Sequence, residues 1–315
     1  MIPLIRATAA AFTCFLVVMA FVGAAVADES KIRAGAIDAW LTMPSGIEQP
    51  PVALLIAGSG STDHDGNGPQ VKPATLKKLS DALVARGIAT LRYDKRGAGG
   101  WKDEFGKPED FRFKDYVDDA AALVGHLRAG AKFSKVIVIG HSEGGLVGIL
   151  TARRVPVDKL VLLAVAARKQ GDLLKAQLEK KLPPEKLAPI AKAIDAIMAG
   201  EIVDPPPPGL AIPPALQPGF TSAFTEDPIA PLQKIEEPIL IVAGARDSQL
   251  ARLDFLALST AAAAAKTLWL PEMNHVLVDV SDDADDLAAY NQPERPLDAD
   301  MIEAIADFIK TKSTR

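Results

Sequence analysis

The segment Gly140-His141-Ser142-Glu143-Gly144-Gly145 follows the apolar run Lys135–Ile139 and opens the helical pattern LVGILTARR. This is G-x-S-x-G where a buried strand turns sharply into a helix. The turn calls for glycines because the serine backbone is strained and neighbouring chain passes close. The hydroxyl is presented at a helix N-terminus, where free N–H groups favour developing negative charge. A serine in that place is a candidate acyl-transfer nucleophile, but it needs a base and a group to orient the base. In such a strand–turn–helix arrangement the chain order is nucleophile, acid, histidine. Of four histidines, only His275 follows Ser142; His64 and His126 precede the motif and His141 adjoins the serine. A lone loop histidine is often a bystander, so the assignment rests on elimination and on its place just past an apolar run. The acid is expected at a strand end, and Asp247 follows Ile239-Leu240-Ile241-Val242-Ala243-Gly244 closely. Asp247 could instead cap the next helix; Asp254 and Asp279 are the rival acids.

Acyl transfer also needs donors aimed at the oxyanion. The backbone N–H of Glu143, next to the nucleophile, is one expectation. The second is the N–H of Ser59, with Gly60 as alternative, in the glycine-rich stretch Ala57–Gly68 after the first core strand. That stretch could suggest a phosphate cradle, but it lacks G-K-[ST]. The charged turn Arg92–Gly100 is expected to brace the nucleophile loop rather than to meet substrate.

To bring these residues together the chain must form a parallel sheet whose carboxyl edge carries the loops. Short apolar runs alternate with longer helical patterns, the signature of an α/β fold. Strands are expected at Val52–Ala57, Ile88–Tyr93, Lys135–Ile139, Leu160–Val165, Ile239–Val242 and Thr267–Leu270, most of them apolar enough to be covered on both faces. Helices are expected near Pro73–Arg86, Asp115–Ala129, Glu143–Arg153, Leu250–Ala265 and Asp298–Thr311. The alternation breaks between the fourth and fifth strands. Two amphipathic stretches occupy Ala167–Ala199, followed by Pro205-Pro206-Pro207-Pro208, Pro213, Pro214 and Pro218, where neither helix nor central strand should persist. Residues 167–231 therefore read as a helical, proline-rich insertion, and residues 28–166 and 232–315 as the core.

The N-terminus carries Arg6, then an apolar run to Val26 and the small-residue triplet Ala25-Val26-Ala27. Residues 1–27 read as a signal peptide cleaved after Ala27, which sends the chain to the periplasm or exterior. An uncleaved membrane anchor is the alternative, since the run approaches the ~20 residues that span a bilayer. The 315 residues carry a net charge of −5, with Lys+Arg 35 and Asp+Glu 40, which argues against nucleic acid as partner. The single cysteine, Cys14, lies in the leader, so neither a disulfide nor a cysteine-based zinc site is expected. No metal or organic cofactor is implied, and the oligomeric state is not readable.

The stretches AGSGSTDHDGNG, LRYDKRGAGG, GHSEGG, IVAGARDSQ, MNHVLVDV and AAYNQPERPLDADMIEAIADFI together resemble the α/β-hydrolase superfamily. The likeness is to its bacterial serine esterase and serine aminopeptidase-like branch, and it runs over nearly all the chain after the leader. It implies an eight-stranded, mostly parallel sheet with a helical cap after the sixth strand. Many relatives have a histidine before the oxyanion glycine, whereas this chain has Ala57, so the support of that loop differs. The expected activity is hydrolysis of carboxylic esters of small acyl substrates through Ser142, Asp247 and His275. Thioester or peptide hydrolysis is the alternative with the same residues, and a catalytically silent binding protein is the alternative of another class.

Overall fold

The computed structural model of the chain describes residues 28–98 and 105–311. The expected leader, with Cys14, lies outside the described residues. The strands are β1 (Asp28–Ala34), β2 (Ile37–Met43), β3 (Val52–Ile56), β4 (Ala89–Tyr93), β5 (Val136–His141), β6 (Lys159–Leu163), β7 (Ile239–Gly244) and β8 (Lys266–Leu270). They form one sheet in the order β1-β2-β4-β3-β5-β6-β7-β8. All pairings from β4 across to β8 are parallel. The two pairings at the other edge, β1 with β2 and β2 with β4, are antiparallel.

Strands β3, β4 and β6 are buried at every residue because helices cover both faces. Successive side chains point to opposite faces, so Val52, Leu54 and Ile56 join one core while Ala53 and Leu55 join the other. The first core is closed by α2 (Lys114–Ala129) and α3 (Glu143–Ala152), the second by α1 (Thr75–Val84) and α10 (Ala299–Lys310). Helix α1 buries Leu76, Leu79 and Leu83, each contributing roughly 1.5–3 kcal/mol relative to exposure. At the start of α10 the Asp298 carboxylate accepts the Met301 N–H at 2.8 Å, satisfying one of the orphan donors of its first turn.

The β1–β2 hairpin is absent from the sequence expectation. Its strand β1 reads DESKIRA, a charged and largely exposed edge with no apolar run to announce it. The turn is the pair Gly35-Ala36, and Gly35 takes φ 62°, which the tight connection requires.

Between β6 and β7 the chain leaves the sheet through α4 (Gln170–Glu179), α5 (Pro184–Met198), α6 (Gln217–Phe224) and the short α7 (Ile229–Leu232). The first three share their own apolar cluster, including Ile190, Ile194, Ile197, Leu210, Ile212 and Phe224. The proline-rich stretch corrects one expectation, since helix does return within it. A 3₁₀ turn, Pro214–Leu216, leads into α6, whose Pro218 occupies the first turn, where no intrahelical N–H is needed. Gln217, fully buried, pins this return: its amide oxygen accepts from Val203 N, and its nitrogen donates to Val203 O and Ile212 O. Helices α8 (Arg252–Ala261) and α9 (Asp283–Ala289) complete the molecule.

Candidate active site

Ser142 is the residue between β5 and α3, with φ 55° and ψ −124°, a strained region for a residue with a side chain. Close packing forces that conformation. A Cβ on Gly140 would lie 2.2 Å from Gly144 O, and one on Gly144 would lie 2.2 Å from Ile56 O. The strand end, the helix start and β3 thus touch backbone to backbone, and the Ser142 N–H is tied to Leu163 O at 2.9 Å.

The structure brings Ser142, His275 and Asp247 into one hydrogen-bonded chain. His275 Nε2 lies 3.0 Å from Ser142 Oγ, and His275 Nδ1 lies 2.8 Å from Asp247 Oδ2. A carboxylate only accepts, so Nδ1 carries the proton and Nε2 offers its lone pair to the serine hydroxyl. Asp247 Oδ1 also accepts the amides of Gln249 at 2.8 Å and Leu250 at 3.0 Å. Burial alone would raise the Asp247 carboxyl; His275 and those two amides outweigh it and hold its pKa below the ordinary aspartate value. The rival acids lie elsewhere. Asp254 is paired in a two-point contact with Arg168, and Asp279 faces Asp298 and Arg295.

His275 sits on a loop that β7 approaches closely: a Cβ on Gly244 would fall 1.9 Å from Met273 O. The loop is pinned by Asn274, which no motif or spacing singles out in the sequence. Its fully buried side chain accepts the amides of Val276 and Val278, both at 3.1 Å, and donates to Asp286 at 2.8 Å. His141 supports the same loop by donating from Nε2 to His275 O at 2.8 Å. Burial, with His275 beside it, pushes His141 down to about 4, so its ring is neutral at neutral pH. Of the remaining histidines, His126 is exposed on α2, and His64 stacks on Trp40 and contacts Asp94.

The expected oxyanion donors, Ser59 and Glu143, border one cavity with Ser142 and His275, and so does Gly60. The loop carrying Ser59 lies against Ser142, since a Cβ on Gly58 would come 3.3 Å from Ser142 Cβ. The Glu143 N–H is at the first position of α3 and has no intrahelical acceptor. The cavity measures about 640 Å³. Leu146 and Val165 of the core wall it on one side, Leu173, Leu174 and Phe220 on the other. Arg96, from the turn expected only to brace, also borders it and is paired with Asp119. Glu143 is the sole carboxylate among the described residues that border the cavity.

A sheet of this order, with a strained Ser142 after β5, Asp247 after β7 and His275 after β8, is the α/β-hydrolase fold. Comparison with known proteins agrees. A family model described as "Serine aminopeptidase, S33" matches residues 72–199. The chain is 27% identical over 256 residues to "Esterase EstD" of Thermotoga maritima, covering 80% of this chain. It spans about 60% of that relative's length. Among solved structures, Est1E from Butyrivibrio proteoclasticus superposes with TM-score 0.55 at 19% identity, covering 89% of this chain and 97% of that one. Proline iminopeptidase of Mycobacterium smegmatis gives 0.57 at 16% identity, covering 90% and 97%. The chain has the fold of the α/β hydrolases, and its sequence likenesses fall in their esterase and serine aminopeptidase-like branch.

Proposed function

We propose that this chain is a serine hydrolase that cleaves carboxylic esters through an acyl-enzyme. The observation that carries the reading is the pair of hydrogen bonds from His275, at 3.0 Å to Ser142 Oγ and 2.8 Å to Asp247. In this mechanism Ser142 Oγ attacks the ester carbonyl carbon while His275 Nε2 takes its proton. The carbonyl electrons move onto oxygen, which the N–H groups of Glu143 and Ser59 stabilise. Asp247 keeps the imidazole oriented and stabilises its charged form. Collapse breaks the bond to the alkoxy oxygen, which leaves as alcohol with the proton from His275. Water, deprotonated by the same nitrogen, then attacks the acyl-enzyme, and collapse returns the proton to Ser142 and frees the acid.

The lining of the cavity favours an ester over an aminopeptidase substrate. A free substrate amine would call for an unpaired carboxylate, and the one carboxylate at hand, Glu143, is held by Lys95 at 2.5 Å. The "esterase" in the name of the Thermotoga relative points the same way. In this reading α4–α6 form a cap over the acyl pocket, and residues 1–27 are a signal peptide removed after Ala27.

A fluorophosphonate probe tests the nucleophile. Its adduct is expected on Ser142 by peptide mass spectrometry, and Ser142→Ala should lose both the adduct and at least about 10³-fold in hydrolysis of p-nitrophenyl butyrate. An unlabelled Ser142 in folded protein overturns the assignment. Labelling without turnover of any ester, thioester or aminoacyl amide would identify a silent binding protein. For the leader, intact mass of the protein from a periplasmic fraction should begin at Asp28; full-length chain in the membrane pellet would establish an anchor instead.

A further inference from the structure

The loop bearing Ser59 and the helix start bearing Glu143 come from distant parts of the chain, yet one buried side chain touches both. Lys95 has a fully buried side chain at the turn after β4. Its ammonium donates to Gly58 O at 2.7 Å and to Glu143 Oε1 at 2.5 Å, and sits 4.1 Å from the centre of the Tyr116 ring. Gly58 O belongs to the same peptide unit as the Ser59 N–H. In a planar trans peptide the C=O and N–H point in opposite directions, so fixing the oxygen on Lys95 fixes where the Ser59 N–H points. A cationic donor on that oxygen also polarises the unit and strengthens its N–H as a donor. At the second contact the lysine holds the side chain of the residue whose own N–H is the other donor.

Further bonds tighten the same loop. Thr62 Oγ1 donates to Ser59 O at 3.0 Å, and Lys95 N donates to Thr62 O at 3.2 Å. Lys95 therefore grips the loop from its backbone as well as from its side chain. Burial opposes the ammonium, but the Glu143 carboxylate outweighs it and keeps Lys95 charged.

We infer that Lys95 is the positioning residue of the oxyanion site, setting the direction of the Ser59 N–H through Gly58 O and anchoring Glu143, without touching substrate. This rests on the serine-hydrolase reading above. Losing one oxyanion donor costs about 10²–10³ in kcat, and a misaimed donor approaches that loss. Its effect falls on the tetrahedral state and not on bound ester, so kcat should fall while KM holds.

The test compares wild type with Lys95→Met, which keeps the stem, and with the double variant Lys95→Met/Glu143→Gln, which also removes the carboxylate left unpaired. The double variant is the one to read if the single one does not fold, with folding checked by circular dichroism. In a folded variant kcat on p-nitrophenyl butyrate is expected to fall about 10²-fold with KM within about threefold. Affinity for a trifluoromethyl ketone, whose hemiketal carries the oxyanion, should weaken by a similar factor, with the pH at half-maximal activity unchanged. Wild-type kcat in either folded variant, or a lower kcat with undiminished ketone affinity, overturns the role. If wild type itself neither labels at Ser142 nor turns over esters, the hydrolase reading fails first, and the two failures are told apart.

Discussion

His141 is the last residue of β5, next to Ser142, and burial holds its ring neutral beneath the His275 carbonyl. Its pKa of about 4 in the folded chain is below the ~6.5 of an unfolded histidine. The native state therefore resists a proton that the unfolded chain accepts, so stability is full above pH ~6.5 and is lost as pH falls toward 4. The loss from this one ring is on the order of 3 kcal/mol. Urea unfolding at pH 7, 5.5 and 4 should show the stability difference between wild type and His141→Gln moving by that amount in favour of the variant. A difference that stays constant with pH would refute the linkage. Residues of the site differed in how far they could be read from sequence. Ser142 stands in a local motif whose geometry its glycines dictate, and histidines are so few that only one follows it. Asp247 was one of several acids, and only its position at a strand end distinguished it. Lys95 and Asn274 carry no such local mark. Their contacts depend on which loops the sheet order brings together.

The unit of β5, the turn and α3 works by exclusion of side chains. Gly144 has the carbonyl oxygens of Ile56 and Ala57, at the end of β3 and just past it, where a Cβ would go, so Gly144→Ala must push α3 away from the sheet or tilt it. Its expected cost is about 3 kcal/mol or more, seen as a lower midpoint in urea or as insoluble protein. An unchanged midpoint would show that the contact yields easily. The central strands were legible because burial on both faces leaves uninterrupted apolar runs. The β1–β2 hairpin was not, because an edge strand needs no such run and this one carries charges against pairing with other chains. The acidic helix α9, DADDLAA, is also missing from the helices expected from sequence; it is started by Asp282, which accepts two amides of its first turn. Proline composition misled at α6 because the rule against proline applies to helix interiors and not to first turns.

For the whole molecule, the cavity lies where the sheet's carboxyl edge meets α4–α6, with apolar side chains of both forming its walls. Each methylene that enters contributes up to about 0.8 kcal/mol, or roughly fourfold in kcat/KM. A series of p-nitrophenyl esters from acetate through hexanoate should therefore climb before it levels off. A flat series would place the acyl chain outside this cavity. The helices α4–α6 are tied to the core by a few polar contacts. Ser222 accepts the Phe113 N–H, and Gln177 and Lys180 reach the carbonyls of Gln249 and Ser248. Ala223 also packs on the first core, but most of their apolar side chains rest on a cluster of their own. The helices beside the cavity and the strands that position Ser142, Asp247 and His275 thus draw much of their stability from separate sources. Heredity can act on the two halves at different rates: on the function proposed above, a lineage could exchange its substrates by rewriting residues 170–224 while Ser142, Asp247 and His275 pass on untouched.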